Sequence, residues 1–194
     1  MTPRHARLVA ALALAAFSAL GQVGCTTTTL DARRLEAPSI ADASVAGPGV
    51  DVSNLRGDVS IRVNPRAKGI TVIPTVRLDK DGPEHYDLDL VVNSIDVVAE
   101  VQDRGGLPAL VVTTTSSFDP SGFFVDLDIR LPAAEGVRVR SGGDGVVSVV
   151  DAGGAIDVES VRGAIEVRTS KPLTGPVAIS TGAGDVYLMA PPES

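Results

Sequence analysis

A glycine followed by alternating apolar residues recurs through the last third of this 194-residue chain, at Gly145, Gly154, Gly163, Gly175 and Gly184. The second and fourth residues after each glycine are aliphatic: Val147 and Val149, Ile156 and Val158, Ile165 and Val167, Val177 and Ile179, Val186 and Leu188. Alternation of period two marks a strand with one buried face. The glycines are 9, 9, 12 and 9 residues apart, room for one strand and one tight turn. Such a unit buries too little to stand alone, because each enclosed Val or Ile contributes about 1.5–3 kcal/mol before the entropy of ordering the backbone is subtracted. Stacking supplies what a single unit lacks. The expected architecture is therefore all-β: a single-domain, β-helix-like or solenoid stack of short strands with tight glycine turns. Units adjacent in sequence are expected to be adjacent in space, their Val and Ile positions forming ladders, with the glycines turning the chain at positive φ.

The same unit occurs earlier, where Gly57 precedes Val59 and Ile61. Asp81-Gly82-Pro83 is a turn signal, and the following stretch reads as a short helical or irregular entry into a strand over residues 95–101. Residues 109–115 form a β-branched strand. The clearest half-buried strand is Val125, Leu127, Ile129 and Leu131 alternating with Asp126, Asp128 and Arg130, and Pro132 stops it.

The N-terminus reads as an export signal. Arg4, His5 and Arg7 precede a charge-free, apolar stretch over residues 8–20, and thirteen residues are too few for a membrane-crossing helix. The single cysteine follows at once in Gln22-Val23-Gly24-Cys25. This resembles a bacterial lipoprotein cleavage site, with Gln22 where an aliphatic residue is usual. The resemblance implies that Cys25 becomes the lipidated first residue and leaves no thiol for a disulfide or a nucleophile. Thr26, where some bacteria place an inner-membrane retention aspartate, points to the outer membrane. The expected organisation is a lipoprotein signal peptide over 1–24, the lipidated cysteine and a flexible tether over 25–49, and a β-strand-repeat domain over 50–191. Such a tether spans roughly 25–30 Å; a short helix over 31–36 would shorten it.

The units Gly-Ala-Ile-Asp-Val, Gly-Ala-Ile-Glu-Val and Gly-Asp-Val-Tyr-Leu, the strand ending at Pro132, and residues 54–63 together resemble the bacterial putative-adhesin family of β-strand-repeat domains. The resemblance covers about residues 50–191. It implies an all-β, roughly β-helical stack, and it brings no catalytic or binding residues with it.

Composition narrows the function. Formal net charge is −7, and −9 once residues 1–24 with their two arginines are removed; nucleic acid, which needs a basic stripe, is not an expected partner. With no tryptophan and, beyond the signal, only Tyr86, Phe118, Phe123, Phe124 and Tyr187 as aromatics, there is little material for stacking on bases or sugars. His85 reads as a solvated turn residue, since no nucleophile and orienting acid accompany it. Ser141-Gly142-Gly143-Asp144-Gly145 superficially resembles a calcium nonapeptide, but the required tandem copies are missing and Val147 stands two after Gly145. If neighbouring units pair in register, Asp157 and Glu166 lie roughly 5 Å apart and form a weak divalent-cation site, or a solvated face with Arg162 and Arg168 as partners. No cofactor is expected. The resulting expectation is a lipid-anchored cell-envelope protein, not an enzyme, acting as a surface or binding element toward envelope or host-surface material. Alternatives are a carbohydrate-active β-helix enzyme, and a periplasmic envelope-stress sensor or assembly partner that binds through an open strand edge at residues 185–189.

Overall fold

The alternation written in the sequence becomes two mixed sheets that share one apolar core. The computed structural model describes residues 32–38, 40, 47–82 and 86–192; the signal peptide, Cys25 with the first part of the tether, and His85 lie outside the described residues. The strands are β1 (Ala32–Arg34), β2 (Gly49–Asn54), β3 (Val59–Val63), β4 (Thr71–Leu78), β5 (Ile95–Asp103), β6 (Pro108–Ser116), β7 (Phe123–Leu131), β8 (Gly136–Ser141), β9 (Val147–Val150), β10 (Ala155–Ser160), β11 (Ile165–Arg168), β12 (Val177–Thr181) and β13 (Val186–Met189). A helix α1 (Leu88–Ser94) precedes β5. Its N-terminus is capped by the Asp87 carboxylate, which accepts from the Asp89 and Leu90 amides.

The first sheet runs β1-β4-β7-β3-β9-β11-β13 and the second β12-β10-β8-β2-β6-β5. Strands β7, β3, β9, β11 and β13 are mutually parallel, as are β6, β2, β8, β10 and β12. Antiparallel strands close one side, β4 and β1 beyond β7 and β5 beyond β6. Where an irregular tether or a short helix is expected, Ala32–Arg34 is instead the edge strand of the first sheet.

The expectation that successive glycine units are spatial neighbours is corrected here. From β8 onward the chain alternates between sheets, so units nine residues apart face each other across the core. The strand that pairs beside each one comes 18 to 21 residues later, as in Val147↔Ile165↔Val186 and Val137↔Ile156↔Val177. Chain connectivity explains this. Parallel neighbours cannot be joined by a tight turn and need a long crossover; here the crossover is the strand in the opposite sheet. The ladders therefore form on alternate units. Leu127, Val59, Val147 and Ile165 make one rank of the first sheet, and Leu110, Val50, Val137 and Ile156 one rank of the second, all essentially buried.

The corners leading from the second sheet to the first hold a column of glycines. Gly57, Gly145, Gly163 and Gly184 have φ of 119°, 152°, 117° and 137°. A Cβ on Gly145 would stand 2.1 Å from the Gly57 carbonyl oxygen, one on Gly163 1.9 Å from that of Gly145, and one on Gly184 2.3 Å from that of Gly163. The close stacking of turn backbones thus requires glycine on steric grounds as well as conformational ones.

A polar column enters the same corners. Thr114, Asn54, Ser141 and Ser160 are buried at the ends of β6, β2, β8 and β10, and Thr181 on β12 continues their row. Asn54 Nδ2 donates to the Val125 carbonyl at 2.9 Å, Thr114 Oγ1 to Asn54 Oδ1 at 2.9 Å, and Ser160 Oγ to the Arg162 carbonyl at 2.9 Å. These side chains satisfy turn backbone that the sheet ladders leave unpaired. Ser141 Oγ is the exception, buried with no hydrogen-bond partner among the described residues.

Candidate functional site

Asp157 and Glu166 do not meet. Asp157 lies on β10 between Arg138 and Ala178, whereas Glu166 lies on β11 between Ser148 and Tyr187, in the other sheet. The register that would set them 5 Å apart is absent, because their strands face each other across the core. Each carboxylate instead has arginine beside it: Arg140 Nη2 lies 2.8 Å and Arg138 Nε 3.6 Å from Asp157 Oδ2, and Arg168 pairs with Glu166. The Arg140 hydrogen bond holds the Asp157 carboxyl below the usual carboxylate range, against a smaller opposing effect of burial, and Asp157 in turn raises Arg140. Among the described residues no three of His, Cys, Asp and Glu are grouped to hold a metal ion.

The Ser141–Gly145 turn is used for packing charge. Its Asp144 carboxylate accepts from Arg56 at 3.0 Å and lies 2.8 Å from Arg162 Nε. Arg56 also donates to Asp79 at 2.7 Å and to the Ser121 carbonyl at 2.6 Å, and its guanidinium lies 4.0 Å from the Phe124 ring centroid. Arg77, held by Asp126, stands 4.7 Å from the same centroid. A planar, always charged group that can fork and stack at once suits this position in a way lysine would not. Every charge in the cluster has a partner within it, which marks a brace between the β2–β3 turn, β4, β7 and the β8–β9 turn.

The two ends of the sheets differ. At the β1/β5 end α1 lies against β1 and β4, its Val91 fully enclosed in the core, and Tyr86 stacks on Phe118 at 5.2 Å. The edge strands there carry charge: Arg33 and Arg34 on β1, Asp96, Glu100 and Asp103 on β5. At the opposite end β12 and β13 are both edges, and no further described strand pairs with either. Their inward-facing positions continue the core ladders into solvent. Val177 is 42% exposed where its neighbour Ile156 is 1%, and Val186 and Leu188 are 45% and 49% exposed where Ile165 and Val167 are 0% and 1%. Leu173, Gly175, Val177, Leu188, Ala190 and Pro191 line a cleft of about 450 Å³ between the two edges. Neither strand, Val-Ala-Ile-Ser-Thr nor Val-Tyr-Leu-Met, contains a charged residue. Charged, proline-bearing or covered edges are how sheets avoid adding strands; among the described residues neither of these two short strands holds a charge or a proline within it, Pro176 and Asp185 standing just before them. In the sequence the sign was the change from Asp157, Glu159, Glu166 and Arg168 to Ala178, Ser180, Tyr187 and Met189 at equivalent places.

No family model and no curated protein matches the chain. Among solved structures it is similar to a putative cell adhesion protein from Clostridium sporogenes, at 9% identity and a TM-score of 0.41, over 82% of this chain and 99% of that one.

Proposed function

We propose that the chain is a lipid-anchored protein of the bacterial cell envelope whose β-repeat domain serves as a non-catalytic surface or binding element. The arrangement is read as a short two-sided β-helix, each coil contributing one strand to each sheet. The observation that carries the proposal is the order of parts along the chain: a basic start, the apolar residues 8–20, Cys25, and then a body built almost wholly of stacked strands. Such a stack is stiff and holds its outer faces at fixed spacing. On those faces arginines and carboxylates pair with one another, as in Arg104 with Asp51, Arg130 with Asp128, and Arg140 with Asp157. That pattern suits a surface more than a reaction centre.

Membrane fractionation of the chain expressed in a Gram-negative host tests the anchor. The parent is expected in the membrane pellet, solubilised by detergent but not by salt, and Cys25→Ser in the soluble fraction. A Cys25→Ser protein that stays with the pellet after a salt wash would remove the lipid anchor from the proposal.

A further inference from the structure

We propose that the open end formed by β12 and β13 is a self-association surface, at which two copies meet end to end. A two-fold axis across the stack reverses strand direction, so the edges of one copy pair antiparallel with those of the other and the contact is isologous.

The shape of the end selects its occupant. Two sheets finish at the same level with the row of Val177, Ile179, Val186 and Leu188 between them. One added strand would satisfy a single edge and leave the second edge and the apolar row in water. A second copy of the same end presents both edges and a matching row. Charge points the same way. Two chains of net charge −7 repel over most of their surfaces, but the nine residues of β12 and β13 carry no charge, so contact here sets no like charges of the strands against each other. The far end, with α1 in place and charged edge strands, offers no equivalent surface, so association closes at two copies and forms no fibre.

Size fixes the strength. Strands of four and five residues on sheets about 10 Å apart give an end face of roughly 400 Å² per copy. The total falls short of the ~1,200 Å² at which standard stable interfaces begin. The dimer is therefore reversible, forming at micromolar or higher concentrations.

Sedimentation equilibrium of the purified full-length chain tests this. The average mass is expected to rise with concentration from that of one chain, 19.9 kDa where residues 1–24 are retained, toward twice that value. Leu188→Lys, which places two copies of a charge in the contact, should weaken association more than ~tenfold, with the far-ultraviolet circular dichroism unchanged. Arg34→Glu on the far edge should leave association intact. If Leu188→Lys misfolds, Val186→Lys takes its place, since Val186 belongs to the same row and is already 45% exposed. A parent that stays monomeric throughout, association indifferent to the lysine, or species that grow past two copies would each overturn the proposal.

Discussion

Replacing Gly163 by alanine should be among the most damaging single-methyl additions this chain can undergo. The new Cβ would lie 1.9 Å from the Gly145 carbonyl oxygen and 2.8 Å from its carbonyl carbon, both backbone atoms that cannot swing aside. Relief requires the two turns to separate by more than an ångström, which strains the hydrogen bonds between them such as Val147 N–H to the Ala164 carbonyl at 2.9 Å. The φ of 117° adds a conformational penalty of about 1–3 kcal/mol for any residue with a Cβ. Restricting the unfolded chain returns about 0.4–1 kcal/mol, and a net loss of about 3–5 kcal/mol follows, in the range reserved for steric failure in packed regions. Gly105→Ala separates the two contributions, because Gly105 also has positive φ, 69°, but nothing within 4 Å of the place its methyl group would occupy. It should cost about 1 kcal/mol. Urea unfolding followed by circular dichroism measures both variants. Equal losses at Gly163 and Gly105 would refute the claim that the turns are stacked in contact.

Two buried polar residues of the same column should behave oppositely. Asn54→Ala strands the Val125 carbonyl and the Thr114 hydroxyl and should cost about 2–3 kcal/mol, whereas Ser141→Ala removes a hydroxyl without a described partner and should change stability by less than about 0.5 kcal/mol; urea midpoints report both. The depressed Asp157 carboxyl makes a pH-dependent contribution. A carboxyl whose folded value lies below its unfolded one stabilises above the unfolded value and loses that contribution as pH falls through the folded value. Because Asp157 is 44% exposed in its side chain, the contribution is at most about 1 kcal/mol. Asp157→Asn should therefore be slightly less stable than the parent at neutral pH and equal to it well below about pH 4; a difference that persists at the acid end would argue against the charge pair as its source.

The strands were legible because their signal is local. Val125 to Leu131 alternates, and β7 is buried at every odd position from Phe123 to Leu131; the helical entry and strand expected before residue 101 are α1 and β5. Pairing was not legible from the nine-residue repeat, since period-two patterning states which face is buried and says nothing of the sheet. A subtler signal was present. Asn54, Ser160 and Thr181 each stand three residues before a corner glycine, and Ser141 four before Gly145, while Gly154 and Gly175 have no such partner. Two kinds of corner alternate, and only a two-layer path makes both. Asp157 and Glu166 were mispaired for the same reason. The Arg56 cluster draws its members from Arg56, Asp79, Phe124 and Asp144, too far apart in sequence for spacing to show. The open end was visible as the strand edge read at residues 185–189 and as a loss of charge in the last two strands.

Because consecutive units occupy opposite layers, the chain obeys a parity rule. A duplication or deletion of one nine-residue unit would send every later strand to the wrong layer, bringing Ser160 and Thr181 to corners of the other kind and Gly163 away from its stack. Two units together restore the phase. Lengthening or shortening by pairs of units, about twenty residues each, should leave the remaining corners in place, so variants of this scaffold that differ in length are expected to do so in even numbers of units.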